Sequence, residues 1–220
     1  MRLNSDLKRN KKSSSNGSEE FNQLDKTAKE VFDYIPFGII LCNPQAEVLS
    51  ANCAAREILD RSDGLRLVRK RLSGVTDDAT LRLRQAIACK TTAEEERMQP
   101  IALRLNRNSG ERQYALLVSK LHTGSENGDA TVALFVCDTA KETNTCEPLL
   151  QLLFDFTPAE ARLARELLRG NSIEDSSGEI GISPNTARNQ LKSMFSKTNS
   201  SRQGELIRIM MQSPAVFRQV

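Results

Sequence analysis

The sequence predicts an α+β protein: an antiparallel sheet with helices, followed by an all-α module of four short helices. Three observations carry this. Apolar runs bounded by turn signals come as two strands, then helices, then three more strands, an order that places helices on one side of an antiparallel sheet. From Thr157 the pattern changes to helical spacing with explicit start and stop residues. Between the two, residues 140–148 (AKETNTCEP) are polar and read as a linker. The 220 residues therefore divide into a front domain over 21–139 and a helical module over 149–220.

The elements follow in order. Residues 1–20 carry KRNKK and then SSSNGSEE; such a segment cannot bury apolar area and reads as a disordered, solvated tail. Phe21, Leu24, Ala28, Val31, Phe32 and Ile35 are spaced as one face of a helix that Pro36 ends. GIILC (Gly38–Cys42) is a strand, Asn43-Pro44-Gln45-Ala46 a turn, and EVLSA (Glu47–Ala51) the returning strand. Asn52 is placed to cap a helix that turns Ala55, Ile58 and Leu59 inward. A second helix is expected over Asp78–Cys89 with Leu81, Ala86 and Ile87 inward. Three strands follow at Ile101–Leu105, Gln113–Leu121 and Thr131–Cys137, separated by turns at Gly110 and Thr123–Gly128.

Composition excludes several classes. Hydrophobic content of 39% and charged content of 27% fit a globular chain. A net charge of +3 gives no whole-chain signal for a polyanionic partner, so any such signal must be local. Five scattered cysteines form no CxxC pair and His122 is the one histidine, so no metal site is expected, and reduced thiols in a cytoplasm are the simple reading. Cys42, Cys53 and Cys137 read as buried packing residues. No apolar run approaches the ~20 residues of a membrane helix, and no apolar segment follows the basic start as in a secretory signal. With one histidine, no phosphate loop and no nucleophile–base pair, no catalytic residue is expected.

The helical module is the informative part. Thr157-Pro158-Ala159-Glu160 is a capping box with proline at the first helical position. Ala161, Ala164, Leu167 and Leu168 make its inward stripe and Gly170 stops it. Ser172 starts a second helix ending near Gly181. Ser183-Pro184 starts a third, whose apolar positions are Ala187, Leu191, Met194 and Phe195. At 100° per residue, Asn185, Arg188, Asn189, Lys192 and Ser196 point the other way. All five are hydrogen-bond donors and none is a carboxylate. A B-form major groove admits a helix, and its base edges and flanking phosphates match such groups. Arginine can grip guanine bidentately and asparagine adenine. From Ser183 onward Arg188, Lys192, Lys197, Arg202, Arg208 and Arg218 stand against Glu205 alone, whereas Thr157–Ile182 is net acidic.

This segment resembles the LuxR/GerE-type helix-turn-helix domain of bacterial transcription regulators. TPAEARLARELLRG is similar to that family's opening helix, GISPNTARNQLKSMFSKT to its recognition helix and exit, and SRQGEL to the start of its last helix. The resemblance covers about a third of the chain. It implies that Arg188, Asn189 and Lys192 face base edges of duplex DNA, and that Thr186, Lys197 and Arg202 position phosphates or pack the corner. It also implies that Leu206, Ile207, Met210 and Met211 hold the module and supply a homodimer contact, with RNA polymerase a further candidate partner. The chain departs from the family at Ser176, where an aliphatic residue is usual, and at Ser177, where alanine is usual. Together with Gly178 this predicts a weak second helix.

In front, PFGIILCNPQAEVLSANCAAREIL resembles the opening of a PAS-like domain, with Ala46 where the turn usually has glycine. GIILCNPQ lacks the paired acids of a phospho-receiver, and a chain without tryptophan does not fit an acyl-homoserine-lactone pocket. The resemblance implies a dimerisation platform or a small-molecule sensor. No cofactor is expected, since the reactive-cysteine motif of the flavin-binding members is missing. The combined reading is a cytoplasmic, DNA-binding transcription regulator acting as a homodimer. A sigma-factor-like chain with a helical front, and an interaction protein with a degenerate helix-turn-helix, are the alternatives.

Overall fold

A computed structural model describes residues 27–92, 99–121, 131–141 and 145–217. The tail, His122, the Thr123–Gly128 turn and Arg218 lie outside the described residues. The fold is α+β, as predicted. A helix over 27–33 (α1) leads into β1 (Gly38–Cys42) and β2 (Val48–Ala51), then α2 (Cys53–Arg61), β3 (Leu65–Val68), β4 (Arg71–Gly74) and α3 (Asp77–Thr92). The strands β5 (Ile101–Leu105), β6 (Tyr114–Leu121) and β7 (Thr131–Asp138) complete the front. Five strands form one antiparallel sheet in the order β2-β1-β7-β6-β5, and β3 pairs with β4 in a separate hairpin. The first and last strands of the sheet lie side by side, with Gly38 opposite Val136. This placement pairs β1 along both edges, and four of its five residues are buried.

One face of the sheet carries the core. Ile40, Tyr114, Leu116, Val118, Leu134 and Val136 meet Ala55 and Ile58 of α2, Leu83 and Ile87 of α3, and Leu65 and Leu72 of the hairpin. Gly74 lets the hairpin reach α3: a Cβ there would stand 2.5 Å from the Ala79 side chain. Asn52 joins the layers. Buried at the start of α2, its Oδ1 accepts from the N–H of Ile39 and of Ala55, both at 2.9 Å. Its Nδ2 donates to the carbonyls of Phe32 (3.2 Å) and Phe37 (3.0 Å). Asn52→Ala orphans all four groups and is expected to destabilise the front domain by about 2–3 kcal/mol. Asn52→Asp, an equally good helix cap, is expected not to rescue it, because a carboxylate cannot donate to the two carbonyls. Urea unfolding followed by tyrosine fluorescence reads this domain selectively, since the chain's two tyrosines, Tyr34 and Tyr114, both lie in the front half.

The structure corrects several expectations here. Leu81 is 56% exposed and Leu83 is fully buried in its place, because Ala79, Leu83, Ala86 and Ile87, spaced i, i+4, i+7 and i+8, form the buried face of α3. Cys137 is exposed and Cys53 only half-buried; Cys137 faces away from the helices, beside Ala115. Cys42 alone of the three is buried, which pushes its thiol up to about 12. Val31 is 60% exposed, so the described part of α1 leaves an apolar side uncovered. The β3–β4 hairpin was not expected at all. Its turn residues Arg69 and Lys70 both have positive φ (50° and 66°), as has Ala46 (63°), the alanine standing where glycine is usual. Each such residue costs roughly 1–2 kcal/mol of strain.

The second core belongs to helices α4 (Glu147–Phe154), α5 (Pro158–Leu168), α6 (Ile173–Glu179), α7 (Pro184–Thr198) and α8 (Gln203–Met211). The four helices expected from Thr157 are all present, and α4 is a fifth that takes in the end of the polar linker. Leu150, Leu163, Leu167, Ala187, Met194, Leu206 and Met210 fill this core.

Candidate nucleic-acid interface

The geometry of α7 is set by local chemistry. The Ser183 hydroxyl accepts from the N–H of Thr186 at 3.1 Å, Pro184 occupies the first turn, and Asn199 closes α7 in a left-handed conformation. Ala187 and Met194 are buried and Leu191 and Phe195 partly so. That fixes the rotation of the helix and leaves Asn185, Thr186, Arg188, Asn189, Lys192 and Ser196 exposed. The connection from α6 is short: Gly181 takes φ 71°, and Ile182 N–H returns to the carbonyl of Ser177.

Two cations on this helix have partners that the sequence did not reveal. The Arg188 guanidinium donates to Glu174 of α6 at 2.6 Å, with both side chains more than half exposed. Such a pair is worth at most about 1 kcal/mol, so it parks Arg188 without locking it. Lys197 differs: its Nζ donates to Glu160 Oε2 and to the carbonyl of Asp155, both at 2.7 Å. Burial would raise the Glu160 carboxyl, but the Lys197 ammonium, the Thr157 N–H and the Ser193 and Thr157 hydroxyls hold it below its usual range. Glu160 also completes the capping box, accepting from Thr157 N–H at 2.7 Å. Lys197 therefore ties the end of α7 to the start of α5. Arg202 is exposed at the start of α8.

Among the residues expected at a dimer contact, Leu206 and Met210 are fully buried in the module's own core. They hold the module and have no surface to offer; Ile207 is partly buried and Met211 is 47% exposed. The orientation of α8 decides this: its i, i+4 pair faces α5 and α7. A crevice of about 210 Å³ lies where Phe37, Ile58 and Arg61 face Met211 and Val216. It is smaller than the ~300–1,000 Å³ of typical small-molecule sites.

No protein-family model and no curated protein matches this chain. Among solved structures, the chain is similar to the phage VqmA–DPO complex (18% identity, 86% of this chain and 89% of that one covered, TM-score 0.39). It is also similar to the Vibrio cholerae VqmA dimer without target DNA, a LuxR-type receptor (15% identity, 83% and 85% covered, TM-score 0.36). A third likeness is to the PAS domain of an HTR-like protein from Haloarcula marismortui (8% identity, 56% and 98% covered, TM-score 0.38). These identities and TM-scores are too low to transfer a function, so what the chain does rests on its own residues.

The helix ahead of α7, α6, is the module's weak point. Ser176 is fully buried with an unpartnered hydroxyl, and Ser177 bonds back to the Glu174 carbonyl at 2.8 Å. Gly178 is the last residue but one of α6, and a Cβ there would meet nothing within 4 Å. Gly178→Ala is therefore expected to stabilise the module by about 1 kcal/mol. Ser176→Ala is expected to add about 1 kcal/mol by deleting the orphaned hydroxyl. Hydrogen exchange over residues 173–180 checks this, with slower exchange in the double variant as the expected result. No helix among the described residues is long and apolar enough to cross a membrane, and no acidic, histidine or cysteine group among them is arranged to hold a metal.

Proposed function

We propose that this chain is a transcription regulator that reads duplex DNA with α7 in the major groove and acts as a homodimer. The observation that carries the reading is the outer face of α7: Asn185, Arg188, Asn189, Lys192 and Ser196 are exposed together with no carboxylate of that helix among them. That face is rigidly aimed, because Ala187 and Met194 anchor it from behind and Lys197 holds its end. Rigid presentation of bidentate donors is what base readout requires. Strands in the front domain, rather than helices, disfavour the sigma-factor-like alternative.

A two-fold dimer would place two α7 helices about 34 Å apart, one DNA turn. The exposed Val31, Tyr34 and Phe37 around α1, with Met211, offer apolar area for that pairing. The front domain then serves as the dimerisation platform, and its core side chains, Tyr114 and Leu134 among them, already fill the space under the sheet. Selection of genomic fragments by the purified full chain tests the proposal. The expected outcome is a set of fragments sharing a two-fold motif, bound with an affinity that falls steeply with salt. Recovery of no fragment by a chain that still dimerises would instead favour an interaction protein with a degenerate reading module.

A further inference from the structure

The β3–β4 hairpin has a turn whose chemistry does not suit its shape. Val68 pairs with Arg71, so Arg69 and Lys70 form a two-residue loop, and both have positive φ. Such loops favour Asn-Gly, because asparagine tolerates left-handed backbone and glycine has no Cβ to strain it. The hairpin instead places long cations at both positions. Arg66 and Arg71 flank them on the strands, Arg84 joins from α3, and all five are exposed. Arg69, Arg71 and Arg84 line one shallow concavity with Val68 and Glu47. Elsewhere in this domain Arg56, Arg61, Arg82 and Arg107 each meet a carboxylate. These five do not: among the described residues none has an acid within ion-pair distance, Glu47 included.

We propose that this hairpin is a second DNA contact, gripping backbone phosphates beside the bases that α7 reads. Four of the five groups are guanidinium forks, which match phosphate oxygens in pairs. Left unneutralised, they are free to displace the counterions condensed on a duplex. The inference rests on the DNA-reading function above: once α7 is bound, the hairpin is tethered to the same duplex, and weak phosphate contacts become effectively intramolecular. Backbone contacts of this kind set affinity and register without choosing bases.

The test is Arg69→Asn with Lys70→Gly in the full chain. It removes two cations while installing the preferred turn, so the fold is expected to hold or gain in Tm. Titration of a selected genomic fragment over a salt series is expected to give a log–log slope smaller by roughly 1.8 per protomer, or roughly 3.6 for the homodimer, and an affinity at moderate salt at least roughly tenfold lower, with base preference unchanged. Should this variant lower Tm, Arg66→Gln with Arg84→Gln removes two cations outside the turn and is held to the same result. An unchanged slope and affinity in a chain that still selects its fragment overturns the hairpin contact and leaves the α7 reading intact. Wild-type protein that binds no duplex overturns both. Loss of binding to phosphatidylglycerol–phosphatidylcholine vesicles with an unchanged DNA slope overturns the DNA contact in favour of a lipid surface.

Discussion

Replacing Arg188, Asn189 and Lys192 together by alanine is expected to abolish sequence selection while leaving the fold in place. All three side chains are exposed and none contributes to the core of the module. Alanine is the better helix former, and the substitution breaks only the surface ion pair between Arg188 and Glu174. Stability should therefore stay within about 0.5 kcal/mol of the parent, which thermal unfolding by circular dichroism will show. Binding is a different matter. Specific sites are commonly held ~10³–10⁷ times more tightly than random duplex, and base-edge contacts supply much of that ratio. The triple variant should bind selected and random fragments alike in a competition gel shift. Arg188→Ala alone is expected to cost roughly 1–3 kcal/mol and to relax preference at one base pair. Glu174→Gln should act the other way. Freeing Arg188 from a pair worth at most about 1 kcal/mol permits up to roughly fivefold tighter binding. A triple variant that keeps its preference would remove α7 from the mechanism.

The second large effect lies in the front domain. Arg107 is nearly buried, with its side chain 4% exposed, and joins three carboxylates: Asp63 at 2.8 Å, Asp138 at 2.9 Å and Glu111 at 2.7 Å. Its guanidinium also lies 4.6 Å over the ring of Tyr114. The group ties the α2–β3 loop, the β5–β6 loop and the end of β7 into one corner. Arg107→Met is expected to destabilise the front domain by about 3 kcal/mol. That is the lower end of the ~3–5 kcal/mol for breaking a buried pair, because Arg61 still reaches the other oxygen of Asp138 at 3.1 Å. Arg107→Lys should rescue little, since one ammonium cannot serve three carboxylates in a plane. Urea unfolding read by tyrosine fluorescence measures both.

The same corner makes the domain acid-sensitive. The hydroxyl and N–H of Ser109, and then Arg107, hold the Asp63 carboxyl well below the usual carboxylate range. A depressed folded pKa means that stability is fully present above the unfolded value near 4 and is lost as pH falls below it. Glu160 in the helical module is shifted in the same direction, so both halves should weaken on the acid side. A stability that holds constant from pH 6 down to about pH 3 would contradict the assigned role of these carboxylates.

Much of the architecture is legible in the residues because it is written locally. Asn52, Thr157 and Ser183 each start a helix, and each does so through a hydrogen bond to a backbone N–H three residues on. The spacing that puts Ala187 and Met194 behind α7 puts Arg188, Asn189 and Lys192 in front. The hairpin is not legible in the same way, because Arg69-Lys70 carries none of the usual turn residues and the flanking strands, LRLV and RLSG, are only four residues long. Leu81 reads as a core residue in the sequence because a weakly amphipathic helix does not fix its own phase.

What the chain alone determined, then, is where helices and most strands begin and which donors share the outer face of α7, for these follow from periodicity and capping over a few residues. Tertiary structure alone decided that Arg107 would meet acids 31 and 44 residues away. It likewise decided that Lys197 would answer Glu160, that Arg188 would rest on Glu174, and that Leu206 and Met210 would turn inward. Those pairings are set by how whole elements pack, and no short-range pattern records which face of one helix will meet another.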